Sequence, residues 1–287
     1  MNSCKLTVVV LVYNLEKYLS RCLDALLEQT LEDMEILCVN DGSPDNSQDI
    51  IDRYVQRYPD KIRSFIKENG GEWSTRNYGL AHARGEFITF VDNDDYAKRD
   101  WAEKLYSAAV KYNADLAVCA FARVDIDSGS VNAIDMHWKK LTAFDIAGGE
   151  SRGAFINPAP WNKIYRRSAI QSLHFLPLRG FSDMCFLMSA YLFIKRVVVI
   201  PDVLYTYNIR SDSQIHSLTL PDVENAKAAL LTVRELYGRE KRGAELKPLL
   251  DFMAFIHLGI SIMYRISYAV DKAQLKNVTE DALAFLD

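Results

Sequence analysis

At 287 residues, 49% apolar and 25% charged, the chain has the composition of a soluble globular protein. It is long enough for one large α/β domain, or one domain with a smaller appendage. A formal charge of −4, with Lys and Arg scattered along the chain, excludes an electrostatic case for nucleic-acid binding.

In chain order, Leu6–Val12 is a β-rich apolar run and predicts a first strand. It is short, and Tyr13-Asn14 follows it, so it does not read as a signal peptide. Residues 16–29 place Tyr18, Leu19, Cys22, Leu23, Leu26 and Leu27 on one helical stripe. Residues 36–39 predict a second strand. Asn46 is placed to cap a helix carrying Ile50, Ile51, Tyr54, Val55 and Tyr58. Ile62–Ile66 predicts a third strand, and residues 73–84 a helix stopped by Gly85. Residues 87–91 predict a strand, 100–112 a helix and 116–121 a strand. Strands alternating with helices at this spacing imply a mostly parallel central sheet covered on both faces.

Beyond residue 121 the rhythm changes. Residues 123–136 predict a hairpin around Ser128-Gly129-Ser130. Residues 137–160, with Gly148-Gly149, Pro158 and Pro160, predict a loop region near the site. Residues 182–194 predict a helix, 197–200 a strand, and 222–287 a mainly helical region. The reading therefore divides the chain into a sheet domain over 1–215 and a helical region over 216–287. Five cysteines (Cys4, Cys22, Cys38, Cys119 and Cys185) form no C-x-x-C pair, and several lie inside apolar patterns. They predict reduced, buried thiols in a cytosolic protein.

Two acidic clusters carry the chemistry. Val39-Asn40-Asp41-Gly42-Ser43 and Val91-Asp92-Asn93-Asp94-Asp95 each end an apolar strand pattern. Open α/β sheets bind ligands outside the carboxyl ends of their strands. Carboxylates there are costly to desolvate unless something positive joins them, and the usual partner is a divalent metal holding a phosphate. The pattern points to a nucleoside-diphosphate substrate, with Mn²⁺ or Mg²⁺ bridging carboxylate and diphosphate. Asn40-Asp41-Gly42-Ser43-Pro44 is also a strong turn signal. Asn69-Gly70-Gly71 precedes a helix, so its N–H groups are placed to face phosphate.

These motifs, with Leu11-Val12-Tyr13-Asn14, Arg76-Asn77-x-Gly79, Trp161-Asn162-Lys163 and Ser182-Asp183-x-x-Phe186, fall in one order and spacing. In that respect the chain resembles the family 2 glycosyltransferases of GT-A, Rossmann-like fold, of the bacterial cell-surface polysaccharide type. The resemblance covers roughly residues 5 to 210. It implies an inverting transfer from a nucleotide-sugar, most simply a UDP-sugar, to a hydroxyl of a glycan or lipid-linked glycan. By resemblance, Val12, Tyr13 and Asn14 pack the nucleobase and ribose. Asp41 accepts a hydrogen bond from the base. Gly71 and Arg76 reach the nucleotide or donor sugar. Asp92 and Asn93 contact the donor, and Asp94 ligates the metal. Asp183 is the general base, Trp161 and Lys163 lie on the acceptor side, and His216 completes the metal site. Asn40 and Ser182 stand where the family often carries acids.

Two rivals to this reading remain at the level of sequence. A sugar nucleotidyltransferase would open with a Gly-rich, Arg-containing loop after the first strand, where this chain has Val12-Tyr13-Asn14-Leu15. A non-catalytic nucleotide-binding scaffold would explain Asn40 and Ser182, but not an intact Asp94 and Asp183. The uncharged stretch over residues 252–264 lies between Asp251 and Arg265, short of the roughly 20 residues a membrane span needs. The wider stretch from Leu249 to Ile266 is apolar around much of its circumference and as a helix must be covered, by its own region, by a second copy, or by a membrane carrying the acceptor. The expected location is the cytoplasm, with peripheral contact to the inner face of the membrane left open.

Overall fold

The structure, a computed structural model, describes residues 4–178, 180–210 and 218–286. Its chain divides into two units. The first holds residues 1–144, 159–175 and 196–210, and the second holds 145–158, 176–195 and 211–287. The second unit thus gathers two earlier segments together with the C-terminal helices, rather than starting at residue 216.

The first unit is built on one mixed sheet. Its strands are β1 (Leu6–Val12), β2 (Met34–Asn40), β3 (Ile62–Ile66), β4 (Phe87–Asp92), β5 (Tyr96–Ala97), β6 (Leu116–Asp125), β7 (Val131–Asp135), β8 (Thr142–Asp145), β9 (Lys163–Arg166) and β10 (Arg196–Ile209). They are ordered β3-β2-β1-β4-β9-β6-β10-β5, with β7 on β6 and β8 on β10. Every residue of β1 is buried. A strand buried on both faces needs no polar alternation, which is why its sequence is a continuous apolar run. β1 pairs in parallel with both β2 and β4, and β2 with β3.

The sheet departs from the parallel expectation at β9. This four-residue strand runs antiparallel between β4 and β6. Its brevity and its two charged residues leave it without a strand signal in the sequence. Thr89 Oγ1 donates to the Lys163 carbonyl at 2.7 Å, tying β9 to β4. Asn162 Nδ2 donates to the Cys119 carbonyl at 2.8 Å, and Cys119 N–H donates back to the Asn162 carbonyl at 2.9 Å.

The helices of this unit are α1 (Glu16–Leu27), α2 (Ser47–Arg57), α3 (Glu72–His82), α4 (Trp101–Lys111) and the short α5 (Arg167–Ile170). α1 buries Leu19, Cys22, Leu23 and Leu26, the stripe its periodicity predicts. α3 approaches β1 closely: a Cβ on Gly79 would lie 2.3 Å from Val9 Cγ1. Only glycine admits that spacing. Asn46 sits at the N-cap of α2 without a side-chain bond, and Asp45 caps instead, accepting from Ser47 N–H at 3.1 Å.

The second unit is helical: α6 (Ser182–Ala190), α7 (Leu220–Arg239), α8 (Gly243–Ala254), α9 (Met263–Ile266) and α10 (Lys272–Leu286). A π-helical stretch, Phe255–Ile262, joins α8 to α9. The Arg242 guanidinium donates to the Ile194 carbonyl at 2.8 Å and to those of Tyr191 and Leu192 at 3.4 and 3.3 Å. It thereby satisfies carbonyls left open after α6. Tyr237 Oη donates to the Met188 carbonyl, and Tyr191 Oη to that of Gly153, both at 2.8 Å.

The helix Gly243–Ile266 is longer than the sequence pattern suggests, and by length and composition it is apolar enough to cross a membrane. Leu246, Leu249, Leu250, Met253, Leu258, Ile262 and Ile266 are buried on one side of it. Phe255, Ile260 and Tyr264 are exposed.

His257 lies in the π-helical stretch, with Nε2 lacking any hydrogen-bond partner. Burial lowers its pKa to about 4. The folded state therefore binds this proton less readily than the unfolded state, whose His titrates near 6.5. Stability from this group is complete above about pH 6.5 and falls as pH drops toward 4, by at most about 3 kcal/mol. In urea titrations across that window, His257→Asn should flatten the fall. An unchanged slope would remove His257 as its source.

Candidate active site

Parallel pairing on both sides of β1 brings three strand ends together. Val12 stands opposite Asn40, and Leu11 opposite Asp92. After β1 the chain steps outward to β2 and β3, then returns to the other side of β1 with β4. That reversal of strand order opens a crevice at the carboxyl ends. Val12, Tyr13, Asn14, Asp41, Asp92, Asn93 and Asp94 are all gathered at this end of the sheet. Val12 is buried, whereas Tyr13 is 48% exposed. Asn14 has φ +52°, and its N–H donates to Ser43 Oγ at 2.8 Å. Asp45 accepts from Glu16 N–H at 2.8 Å and also from Ser43 Oγ, so the loops after β1 and β2 hold each other.

Asp41 is 3% exposed. Its Oδ1 accepts from Gly70 N–H at 3.0 Å and its Oδ2 from Gly71 N–H at 2.8 Å. Lys67 Nζ forms an ion pair with Oδ1. The N–H groups expected to face phosphate are therefore turned onto Asp41, and Gly71 takes a framework role. Gly71 has φ +83° at the start of α3, a conformation that suits glycine and lets its N–H reach the carboxylate. Asn40 also builds the turn: Oδ1 accepts from Ser43 N–H at 2.8 Å, and Nδ2 donates to Gln48 Oε1 at 2.9 Å.

The second cluster is distributed over several partners. Arg76, 2% exposed on α3, lies 3.6 Å from Asp92 Oδ1 and 3.4 Å from Glu72 Oε2. Its guanidinium also sits over the Phe175 ring at 5.5 Å. Asn93 is buried, and its Nδ2 has no hydrogen-bond partner. Asp94 Oδ2 is paired with Arg210 Nη1. Asp95 points its bonds to β10: Oδ2 accepts from Tyr205 Oη at 3.0 Å and Oδ1 from Asn208 N–H at 2.8 Å. Asn208 Nδ2 also donates to the Asp94 carbonyl at 2.6 Å. Burial lifts the Asp95 carboxyl well above the usual carboxylate range; Asp94 and Asp92 add to the push, while Asn208 and Tyr205 oppose it. Asp95 is thus a bracket between the β4 loop and β10.

Trp161 and Lys163 differ from expectation. Trp161 is 6% exposed, parallel to Tyr205 and Tyr207 with centroids at 4.8 and 5.2 Å, and edge-on to Phe121 at 4.5 Å. Lys163 is fully buried, with Nζ donating to the Ala159 carbonyl and Asn162 Oδ1. Both serve the interior of the first unit, and neither offers a side chain to an acceptor. The family-like segment is a structural clamp around β9.

Asp183 lies in the first turn of α6, in the second unit. The N-cap of α6 is Phe181, so neither Ser182 nor Asp183 occupies the cap. Ser182 Oγ is buried without a partner. His216 lies outside the described residues. Among the described residues, no group of three or more His, Cys, Asp or Glu side chains is arranged to hold a metal ion.

Lys67, Tyr205 and Asn208 are site-building residues that sequence reasoning missed. Lys67 follows β3 directly, and a lysine one residue past a strand beside an acidic strand end was the available signal. All five cysteines are free, and burial pushes the Cys38, Cys119 and Cys185 thiols up to about 12, so these are not nucleophiles.

Residues 7–174 match the family model described as Glycosyl transferase family 2. The glycosyltransferase GlyG of Streptococcus pneumoniae serotype 4 (strain ATCC BAA-334 / TIGR4) is 33% identical over 219 residues, covering 72% of this chain and 72% of GlyG. The poly(ribitol-phosphate) beta-glucosyltransferase of Bacillus spizizenii (strain ATCC 23059 / NRRL B-14472 / W23) is 29% identical over 79% of this chain; the match spans 36% of that protein. Among solved structures, S. aureus TarS 1-349 in complex with UDP-GlcNAc superposes with a TM-score of 0.79 at 23% identity, covering 99% of this chain and 82% of that one. At that identity the likeness establishes the fold.

Asp95→Ala should leave the Tyr205 hydroxyl and the Asn208 N–H buried without an acceptor, at about 1–3 kcal/mol each. We expect a lower urea midpoint. Tyr205→Phe should then cost less in the Asp95→Ala background than in the parent. Additive costs would show that Asp95 and Tyr205 are not coupled.

Proposed function

Because this chain belongs to glycosyltransferase family 2, we propose that it transfers a sugar from UDP to a hydroxyl of a glycan or lipid-linked glycan, with inversion, in cell-surface polysaccharide synthesis. The observation that carries the reading is the gathering of Asp41, Asp92 and Asp94 at the carboxyl ends of the strands flanking β1. The UDP-GlcNAc named for the TarS structure supports a UDP-sugar donor. The polymer named for the Bacillus spizizenii relative supports a glycan-type acceptor. The five free cysteines, four of them buried and Cys4 half-buried, accord with work in the cytoplasm.

In this mechanism Asp41 accepts the N–H of the uracil base. The carboxylate has about four acceptor positions and three are in use, so one is left for the base. Tyr13, the exposed aromatic at the end of β1, covers the base. Arg76 sets Asp92 in place from behind, and Asp92 meets the ribose. Asp183 takes the proton of the acceptor hydroxyl as its oxygen forms the bond to the anomeric carbon. The bond from that carbon to the diphosphate oxygen breaks in the same displacement, and UDP leaves with the electron pair. General-base help of this kind contributes about 10²- to 10⁴-fold.

The residues fit a divalent cation. Mn²⁺ or Mg²⁺ prefers hard oxygen donors, and Mg²⁺ sites of this kind use one or two carboxylates completed by substrate phosphates. A cage made wholly of protein ligands is therefore not required. Asp94, and Asp92 through water, would hold the ion. When bound, it would neutralise charge growing on the leaving diphosphate. Arg210, now on Asp94, is the group that has to share or yield that carboxylate.

Two experiments test the reading. Asp183→Asn should lower sugar transfer by at least about 10²-fold while UDP affinity, measured by calorimetry, stays within about threefold. Unchanged transfer would remove Asp183 as the base. UDP should raise the melting temperature of the parent more with Mn²⁺ than without it, and Asp94→Ala should abolish the difference. A metal-independent shift in the parent would sink the assignment of Asp94.

A further inference from the structure

The Asp41 carboxylate is joined to one neighbour that the motif pattern does not include. Lys67 is the first residue after β3. Its N–H donates to the Asn40 carbonyl at 2.9 Å, which carries the β3 end alongside the β2 end. From there the side chain reaches Asp41 Oδ1. Both groups are withdrawn from water, with side-chain exposures of 14% for Lys67 and 4% for Asp41.

Their hydrogen-bonding capacity can be counted. Asp41 accepts from Gly70 N–H, Gly71 N–H and Lys67, which fills three of about four acceptor positions. The Lys67 ammonium has three donors. One goes to Asp41 Oδ1 and one to the Glu68 carbonyl. One acceptor position and one donor therefore remain, on groups already in contact with each other. A ligand edge that satisfies both presents an N–H beside a carbonyl oxygen.

Resting on the reading that Asp41 faces the nucleobase, we propose that Lys67 is the second half of a base-reading pair and selects uracil over cytosine. Uracil offers N3–H flanked by the O2 and O4 carbonyls. Asp41 takes the N–H, and Lys67 donates to the O4 carbonyl. Cytosine reverses the pattern on one side: its N3 lone pair would face the carboxylate, and its 4-amino group would face the ammonium. A buried site built for one donor–acceptor order rejects the reverse order strongly, because its polar groups are then left unpaired. The pair also explains why Lys67 is held at three points: an ammonium left to swing would meet either edge.

The test compares nucleoside diphosphates by calorimetry, without turnover, on the parent and on Lys67→Met, whose nucleotide-free melting confirms that it is folded. The parent should bind UDP at least about tenfold more tightly than CDP, and Lys67→Met should lower that ratio by at least about threefold. Thio substitution weakens a carbonyl as an acceptor. 4-thio-UDP should therefore bind the parent about tenfold more weakly than UDP, and Lys67→Met should bind it as it binds UDP. If the thio effect persists in Lys67→Met, or if UDP and CDP weaken by the same factor, Lys67 does not read the base. If no nucleoside diphosphate binds the parent, the donor reading itself falls and takes this proposal with it. UDP binding with no Lys67 signature removes the Lys67 role alone.

Discussion

A carboxylate taken out of water must be met by donors, and the crevice is organised around that requirement. Asp41, Asp92, Asp94 and Asp95 all stand at the end of two strands of the same sheet. Each has been answered separately. Asp41 is met by a lysine and two backbone N–H groups, Asp92 by Arg76, Asp94 by Arg210, and Asp95 by a tyrosine hydroxyl and an N–H of β10. Without those partners the desolvation cost would outweigh what the sheet contributes by burial there. The positions of α3, of the segment following β3 and of the end of β10 follow from supplying them.

This arrangement sorts the acids by role. Asp95 is surrounded by donors from one strand and is best placed to tie that strand to the β4 loop. Asp94 and Asp92 each face an arginine, and Arg76 is shared between Asp92 and Glu72. Asp41 sits between these extremes. Its two backbone donors are fixed by the turn at Gly70-Gly71, and Lys67 adds a side-chain donor held in its turn by the Asn40 and Glu68 carbonyls.

The order of elements in the first unit was legible because β1, β2 and α1 obey their own periodicities. β1 is continuously apolar, and α1 shows one stripe. The acidic strand ends were legible for the same reason, since polar residues that close a buried strand stand out. β9 was not legible: four residues carry no period, and its charged Lys163 is buried only because Ala159 and Asn162 supply acceptors. The Trp161-Asn162-Lys163 segment misled for the same reason. An indole, an amide and an ammonium in a row look like a surface for a sugar, and only tertiary packing shows them closed on Tyr205, Tyr207 and Cys119. The Gly70-Gly71 N–H groups misled in a simpler way. A helix start does attract an anion, but here the anion is the chain's own Asp41.

The position of β9 also bears on how the first unit is assembled. β3, β2, β1 and β4 complete their mutual pairing within residues 6–92. The far side of the sheet joins them only through a four-residue strand contributed from positions 163–166, and β6 gains its parallel partner only when residues 196–209 are in place. Pairings so distant in sequence close late and slowly, because the intervening chain must be ordered first. During synthesis, the emerging β4 edge therefore waits through more than 70 residues for its cover. At the ribosome's pace of about 5–20 residues per second that is an interval of several seconds. The apolar edge of Phe87–Asp92 is open to wrong partners throughout it.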